Sequence, residues 1–188
     1  MINNVKVYGL EEALRRAKFP KAVDPNAVDD SYKPFLSALG SCDVGAGHDN
    51  FLCGIVVQFD LTFTIKAWTE AERYHFLDII SSQSTMHKID AMPIKENCCE
   101  YVSPIIIREV ERLKDNYNNN KTADNFLSLV YNVPVGFMLT AGMSTNYRQL
   151  KTIYYQRRHH RLPEWREFCK WIETLPMFKE LVLAGEEE

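Results

Sequence analysis

IVVQFDLTFTIKAW, residues 55–68, carries the clearest structural signal in the sequence. Apolar and polar side chains alternate through ten consecutive positions, which is the period of a β-strand with one buried face. The apolar set is Val57, Phe59, Leu61, Phe63 and Ile65, and the polar set is Gln58, Asp60, Thr62, Thr64 and Lys66. The pattern predicts a long strand with helices packed on its apolar face and a polar or site-lining opposite face.

Helices and further strands are predicted on both sides of this strand. On the N-terminal side we expect a strand over 4–9, a helix over 10–19 ended by Pro20, a loop over 21–30 and a helix within 32–41. On the C-terminal side, Thr69 and Glu72 have the spacing of a capping box, which predicts a helix over 70–84 with a distorted Ser-rich end. Beyond it we expect a connector over 91–102, a helix from Ser103–Pro104 through Tyr117, a helix over 122–131, a strand over 134–141 and helices over 145–161 and 163–174. Together these segments predict an α/β fold with a mixed, mainly antiparallel sheet flanked by helices.

Size and composition are those of an ordinary globular chain. The 188 residues include 46% hydrophobic and 25% charged residues and carry a net charge of −3, so we expect a single domain over 1–188. The slightly negative charge argues against a surface for duplex nucleic acid. No apolar run approaches the roughly 20 residues that span a bilayer, and the N-terminus lacks a signal-peptide pattern. We therefore expect a cytoplasmic protein without membrane or nucleic-acid partners.

The cysteines give no sign of a metal site. None forms a CxxC pair, and no Cys/His set has the spacing of a structural zinc site. Buried, reduced thiols are expected at all five positions. They are Cys42, Cys53, Cys98, Cys99 and Cys169.

One segment, TNYRQLKTIYYQRRHHRLPEW (145–165), is basic and aromatic, in contrast to the slightly negative net charge of the whole chain. Arg157 and Arg161 are four residues apart and share one face of the predicted helix. Arginine offers a planar fork that matches a phosphate or the edge of a base. The alternative is a solvated helix C-terminus, where basic residues are common, paired with nearby glutamates. Both interpretations stay open from the residue types alone.

One further segment and two histidines are also candidates for functional or structural roles. His48 follows a Gly-rich turn and is either a site residue or a turn residue. The SSQST run, 81–85, either binds a phosphate through hydroxyl and backbone N–H groups or is a polar helix end. His75 lies on the predicted helix over 70–84, where a buried histidine with satisfied polar atoms is expected.

The order and spacing of these segments resemble the flavin-dependent thymidylate synthase family over roughly residues 40–175. GHDNF (47–51) is similar to the Gly-His turn that precedes a long strand in that family. YHFLDIISSQSTMH (74–87) falls without a gap on the family signature that begins Arg-His-Arg, with His75 at the central His and Ser84 at a later Ser. Val133–Pro134 stands for a Leu-Pro, and Asn146, Arg148 and Leu150 match Asn-x-Arg-x-Leu. Arg157 lies where the family has the arginine that holds the uracil ring.

The resemblance implies flavin-dependent transfer of one carbon, as methyl or hydroxymethyl, to C5 of a pyrimidine deoxynucleotide monophosphate. The implied cofactor is FAD, with reduced folate and NADPH as further reactants, and the implied assembly is a homotetramer. The implied catalytic residues are Arg157 and Ser84. The residues implied for cofactor binding are His48, His75, Asn146 and Arg148, and those for substrate binding are Ser82, Gln83, Ser84, Arg157 and Arg161.

The sequence departs from the family pattern where Tyr74 and Phe76 replace both arginines of the signature triplet. Aromatic rings do not neutralise phosphates, but they stack on other rings. A second hypothesis is therefore a catalytically inactive relative that binds a nucleotide as a sensor or sequestering protein. A third is a partner-binding module, in which the basic helix contacts an acidic protein or single-stranded nucleic acid.

Overall fold

Residues 1–184 are described by a computed structural model, and they form two compact units. The first unit contains Met1, 60–73 and 79–142. The second contains 2–59, 74–78 and the described chain from 143 onward. The expectation of a single domain over 1–188 remains a prediction.

Four strands form one antiparallel sheet in the order β1-β2-β4-β3. They are β1 Ile2–Tyr8, β2 Val56–Thr64, β3 Asp78–Ser82 and β4 Met138–Asn146. The hydroxyls of Thr62 and Thr140 meet at 2.8 Å, and Ile65 N donates to Phe137 O at 2.9 Å. Residue numbers therefore increase along β2 while the numbers of the paired residues on β4 decrease, as antiparallel pairing requires. The α/β fold with an antiparallel sheet flanked by helices is confirmed.

The alternating pattern of β2 is confirmed, but the strand ends earlier than expected. Its predicted apolar positions from Val57 to Phe63 are buried, whereas Gln58 is exposed. At Thr64 the side chain caps a helix, α3 Ile65–Ala71, and its oxygen accepts a hydrogen bond from Ala67 N at 3.2 Å. Since a threonine at this position satisfies a backbone N–H of the first turn, the chain changes from strand to helix here.

The predicted helix over 70–84 is wrong. Thr69 is not an N-cap, because it lies inside α3 and its hydroxyl donates to Lys66 O at 2.8 Å. Glu72 is the C-cap of that same helix, so the expected capping box does not form. The spacing of Thr69 and Glu72 was therefore wrongly interpreted as a capping box. The residue that caps the helix is Thr64, which lies five residues before Thr69.

Extended structure replaces the second half of that predicted helix. Residues 78–82 form β3, since the β-branched Ile79 and Ile80 and the serines beside them favour a strand over a helix. Gln83 continues the pairing beyond the strand. Its backbone N donates to Thr140 O, and its side-chain oxygen accepts from Thr140 N, both at 2.9 Å.

The first unit packs its helices around an apolar cluster of its own. Its helices are α3, α4 Thr85–Lys88, α5 Ile94–Asn97, α6 Pro104–Asn119 and α7 Ala123–Val130. Helix α6 begins as predicted, with the Ser103 hydroxyl accepting from Ile105 N at 3.4 Å. The cluster contains Ile89, Met92, Ile94, Val110, Leu129 and Phe137.

The second unit contains the remaining helices. They are α1 Leu10–Arg16, α2 Phe35–Gly40, α8 Tyr147–Arg157, α9 Pro163–Ile172 and α10 Phe178–Val182, of which α10 was not predicted. Three short 3₁₀ turns, Phe19–Lys21, Pro25–Ala27 and Asn50–Gly54, connect them. Phe59 of β2 packs on α9, with its ring centroid 4.7 Å from that of Trp171 and 5.9 Å from that of Phe168. This contact anchors α9 to the sheet.

All five cysteines are free thiols, but they are not all buried as expected. Cys169 is buried, Cys53 is exposed, and the other three are half-buried. Burial, reinforced by the carboxylate of Glu173, raises the pKa of the Cys169 thiol to about 12. Only Cys169 therefore matches the predicted inert core thiol.

Among the helices of residues 1–184, none is both long enough and apolar enough to cross a membrane.

Candidate functional site

A buried carboxylate organises the polar centre of the second unit. The side chain of Asp49 is 1% exposed and lies between two cations of α8. Its Oδ2 is 2.8 Å from Lys151 Nζ, which is itself 1% exposed, and its Oδ1 is 3.0 Å from Arg148 Nε. Lys151 Nζ also donates a hydrogen bond to the carbonyl of Cys42. This triad of Arg148, Asp49 and Lys151 fixes the loop before β2 against α8.

Local sequence explains how the triad assembles. Arg148 and Lys151 are three residues apart on α8 and therefore project from the same side of the helix. Gly45 and Gly47 have φ of +97° and +82°, a region that glycine adopts without strain. Those two residues allow the loop to turn before Asp49.

The exposed part of Arg148 faces a pocket of about 330 Å³. Its side chain is 36% exposed, and its Nε forms an ion pair with Asp49. Phe76, which is 62% exposed, provides an aromatic wall. Thr145 Oγ1 donates to Phe76 O at 2.6 Å and so holds that residue's backbone. The other lining residues are Val44, Gly45, Asp49, Cys53, Asn146, Gln149 and Thr152. We call this cavity the Arg148 pocket.

Asn146 also lines the Arg148 pocket, as the N-cap of α8. Its side-chain oxygen accepts from Gln149 N at 2.9 Å, and that contact satisfies one of the backbone donors at the start of the helix. The start of an α-helix carries partial positive charge. The cap, the helix terminus and Arg148 therefore make this end of the pocket favourable for an anion.

His48 does not join Asn146 and Arg148. It lines a different pocket of about 530 Å³, although its neighbour Asp49 belongs to the Arg148 pocket. His75 lies in the turn after α3 and is exposed, so the expectation of a buried histidine on a helix is wrong. Two of the four residues implied for cofactor binding are thus brought together in one pocket.

Arg157 is buried, with 9% of its surface exposed. Its Nε donates to the Tyr74 hydroxyl at 2.7 Å, and that hydroxyl donates to Gln156 Oε1 at 3.0 Å. The guanidinium carbon lies 5.0 Å from the ring centroid of Trp165 and 5.5 Å from that of Tyr74. Both distances are those of cation–π contacts. Arg157 is therefore held inside the fold by two aromatic residues.

Arg158 also packs on the protein, whereas Arg161 is exposed. The guanidinium of Arg158 lies over the rings of Tyr154 and Tyr155, at 5.6 and 5.3 Å. Arg166 of α9 donates to the carbonyls of His160 and Arg161, at 2.7 and 2.8 Å. Helix α8 ends at Arg157 rather than at 161, so Arg157 and Arg161 do not share a helix face as expected.

The serines implied for substrate binding belong to the first unit. Ser82 is the exposed last residue of β3, and Ser84 is the half-buried N-cap of α4. Gln83 lies between them, and its side-chain oxygen is engaged by Thr140 N. The implied phosphate-binding role of these residues and the implied roles of Arg157 and Arg161 remain predictions.

The sequence interpretation missed two residues that shape the site, Asp49 and Lys151. Asp49 stands next to His48 in the Gly-rich turn, and Lys151 stands one helical turn after Arg148. The available signal was a lysine among the apolar positions Leu150, Ile153 and Tyr154 of the helix, because a buried lysine needs a carboxylate partner. Within residues 1–184, no group of three His, Cys, Asp or Glu side chains is placed to hold a metal ion.

Solved structures resemble this chain over nearly its whole length. One is flavin-dependent thymidylate synthase ThyX from Helicobacter pylori complexed with FAD and dUMP, at 16% identity with a TM-score of 0.71 over 97% of this chain and 99% of that one. A second structure of the same enzyme with FAD and dUMP is 15% identical, with a TM-score of 0.77 over the full length of both chains. A scan of protein-family models found no match, and neither did a search of curated proteins. The fold of this chain is that of the flavin-dependent thymidylate synthases.

Proposed function

We propose that this protein binds FAD and a pyrimidine deoxynucleotide monophosphate in the cytoplasm and transfers one carbon, as methyl or hydroxymethyl, to C5 of the pyrimidine. The observation that carries the proposal is the Arg148 pocket. It places an exposed aromatic ring, Phe76, beside a guanidinium that Asp49 holds in position. A ring for stacking next to a fixed cation is suited to a nucleotide. The likeness to FAD-bound and dUMP-bound structures supports the same class of ligand.

The residues of the Arg148 pocket, whose volume of about 330 Å³ accommodates only part of FAD, fit one phosphate and one ring of the cofactor despite the loss of both signature arginines. Arg148 and the start of α8 offer positive charge for a phosphate, and Phe76 offers a face for a ring. Arg148 and Asn146 are the residues that we assign to the cofactor. FAD, when bound, supplies the hydride in this type of reaction, and reduced folate and NADPH are the proposed donors of the carbon and of the electrons.

Substrate roles in the proposal rest on the family resemblance. Arg157 is assigned to the pyrimidine ring, where a cation stabilises negative charge that develops during the reaction. Ser82, Gln83, Ser84 and Arg161 are assigned to the nucleotide, and His48 and His75 to the cofactor. Ser84 and Arg157 are the proposed catalytic residues.

One observation favours a second candidate, a catalytically inactive relative that binds a nucleotide as a sensor or sequestering protein. Arg157 is buried and engaged by Tyr74 and Trp165. A guanidinium held in this way has less freedom to contact a pyrimidine.

Release of tritium from C5-labelled dUMP in the presence of FAD, NADPH and methylene-tetrahydrofolate distinguishes the two candidates. Release identifies the enzyme, and nucleotide binding without release identifies the sensor.

Substitution of the pocket residues is expected to weaken FAD binding selectively. Arg148→Gln is expected to raise the Kd for FAD by at least about tenfold, because a charge-assisted hydrogen bond contributes about 1.5–3 kcal/mol. Phe76→Ala is expected to raise it by a similar factor, since stacking contributes about 1–3 kcal/mol per ring. Equilibrium dialysis against FAD measures both changes.

Arg112→Gln is the matched control for Arg148→Gln, because Arg112 forms an exposed ion pair with Glu109 on α6. The control is expected to bind FAD as the wild type does. Equal Kd values for the wild type, Arg148→Gln and Phe76→Ala would contradict the assignment of FAD to this pocket.

The sheet edge at β3 supports the proposed homo-oligomer. All five residues of β3 are exposed, including Ile79 at 53% and Ile80 at 61%. An exposed edge strand that carries neighbouring apolar side chains is a site for pairing with another chain. We propose that copies of the chain meet at this edge, in a tetramer by the family resemblance.

Placing charges on β3 is therefore expected to dissociate the oligomer. The double substitution Ile79→Asp and Ile80→Asp should reduce the molar mass in solution, measured by light scattering after size exclusion, to that of a smaller assembly. Val5→Asp on β1, the opposite edge strand, is the matched control and should leave the mass unchanged. A wild type that elutes as a monomer would rule out the proposed assembly.

A further inference from the structure

We infer that Cys53 is a modification site, at which the thiol exchanges with a small disulfide whose halves carry the ammonium and carboxylate groups of an amino acid. Cys53 is an exposed free thiol in the 3₁₀ turn Asn50–Gly54, shortly before β2. It lines the Arg148 pocket, where a thiol, a buried carboxylate and a guanidinium meet. The inference rests on these three side chains and does not depend on the proposed function.

A fixed cation lies beside the thiol. Burial lowers the pKa of Arg148, but the neighbouring Asp49 carboxylate and Cys53 thiol outweigh this effect, so the pKa of the guanidinium is raised. Arg148 therefore stays protonated throughout the physiological pH range. A positive charge next to an exposed sulfur attracts a reagent that carries a carboxylate.

Asp49 offers the reagent a hydrogen-bond acceptor. Its side chain is 1% exposed and lines the same pocket. Its Oδ1 lies 3.0 Å from Arg148 Nε, but this contact is not aligned as a hydrogen bond, and within residues 1–184 the buried oxygen accepts none. A buried acceptor without a donor costs free energy. A ligand that donates an N–H to Asp49 Oδ1 is therefore favoured.

The two charged groups together select an amino-acid end. Its carboxylate pairs with Arg148, and its ammonium donates to Asp49 Oδ1. The start of α8, which Asn146 caps, adds partial positive charge for the carboxylate. Glutathione disulfide has this combination of groups, whereas a disulfide with only one kind of charge satisfies only one of the two side chains.

The reaction is a thiol–disulfide exchange. The Cys53 sulfur loses its proton and attacks one sulfur of the disulfide. The S–S bond of the reagent breaks as the new S–S bond to Cys53 forms, and the other half leaves as a thiolate that takes up a proton. Cys53 is oxidised to a mixed disulfide, and the departing half is reduced to a thiol. The attached half occupies the cavity of about 330 Å³, so oxidising conditions close the Arg148 pocket and a free thiol reopens it.

Four disulfides test the selection. Glutathione disulfide carries both charges, dithiodipropionate carries only carboxylates, cystamine carries only ammonium groups, and hydroxyethyl disulfide carries neither. Peptide mass mapping measures the rate at which each forms a mixed disulfide with Cys53. Dividing this rate by that of Cys53 in the urea-unfolded chain removes the intrinsic reactivity of each reagent.

We expect this ratio to be about tenfold higher for glutathione disulfide than for hydroxyethyl disulfide, with both singly charged reagents below glutathione disulfide. Equal ratios for all four reagents would overturn the inference. A ratio for dithiodipropionate as high as that for glutathione disulfide would overturn the role of Asp49 and with it the selection of an amino-acid end.

Variants place the selection at Arg148. Arg148→Gln is expected to slow the reaction with glutathione disulfide about tenfold and to leave that with hydroxyethyl disulfide unchanged. Arg112→Gln, at an exposed ion pair of α6, is the control and should react as the wild type does. Circular dichroism melting verifies that each variant folds, and the comparison of reagents on the wild type needs no variant. Wild-type rates in Arg148→Gln, or faster modification of the half-buried Cys42 than of Cys53, would contradict the inference. All rates are measured without FAD, so their outcome is separate from that of the proposed function.

Discussion

Replacing Lys151 by methionine is expected to lower the free energy of unfolding by about 3 kcal/mol, which is the lower end of the range for breaking a buried ion pair. Lys151 Nζ is buried between Asp49 Oδ2 and the carbonyl of Cys42. Methionine keeps much of the side-chain volume but leaves both oxygens without this donor. Arg148 still pairs with Asp49, so the loss stays at the low end. Urea denaturation followed by circular dichroism measures the change.

A matched substitution and a double substitution complete this test. Lys170→Met changes an exposed lysine that pairs with Glu167, and we expect a loss below about 1 kcal/mol. Combining Asp49→Asn with Lys151→Met removes both charges. The double variant should therefore lose less free energy of unfolding than the sum of the losses in the two single variants. Strict additivity, or a Lys151→Met effect as small as that of Lys170→Met, would contradict the buried triad.

The second large effect is expected at Tyr74. Tyr74→Phe should lower the free energy of unfolding by about 2 kcal/mol, because the buried Arg157 Nε loses its acceptor at 2.7 Å and a hydrogen bond to a charged group contributes about 1.5–3 kcal/mol. The phenyl ring keeps the contacts with Trp165 and the guanidinium. Tyr131→Phe is the control, since Tyr131 is 82% exposed and no comparable loss is expected there.

Tyr74→Arg restores the residue of the family signature and gives a sharper test. The introduced guanidinium would lie next to that of Arg157, and two like charges repel each other in a buried environment. We therefore expect a loss of free energy of unfolding at least as large as that of Tyr74→Phe. A more stable Tyr74→Arg variant would show that Tyr74 does not hold Arg157 as its contacts indicate.

Periodicity and capping residues predicted most of the fold. The alternation in 55–68 identified β2, and Ser103–Pro104 identified the start of α6, because both signals arise within the segment itself. The helix over 70–84 failed because Thr69 and Glu72 imitate a capping box, while the true cap at Thr64 lies inside the apparent strand. The pairing of β3 with β4, which outweighed helix formation, is a contact between distant residues that no local pattern reveals.

The site was predicted only in part. Asn146 and Arg148 were named through the family resemblance, and one pocket contains both, while their role in cofactor binding stays a prediction. Asp49 was missed because its role depends on Lys151, about a hundred positions later in the chain. The spacing of arginines could not show that Arg157 is buried, since that depends on Tyr74 and Trp165. Residue types identified the chemistry, and tertiary contacts decide which groups are presented to a ligand.

The most direct test is the visible absorption spectrum of the purified protein after incubation with FAD and desalting, compared with that of Arg148→Gln. We predict that the wild type retains the flavin bands and that Arg148→Gln loses most of them. A wild type without flavin bands, or bands of equal size in both proteins, would contradict the claim that the Arg148 pocket binds the flavin.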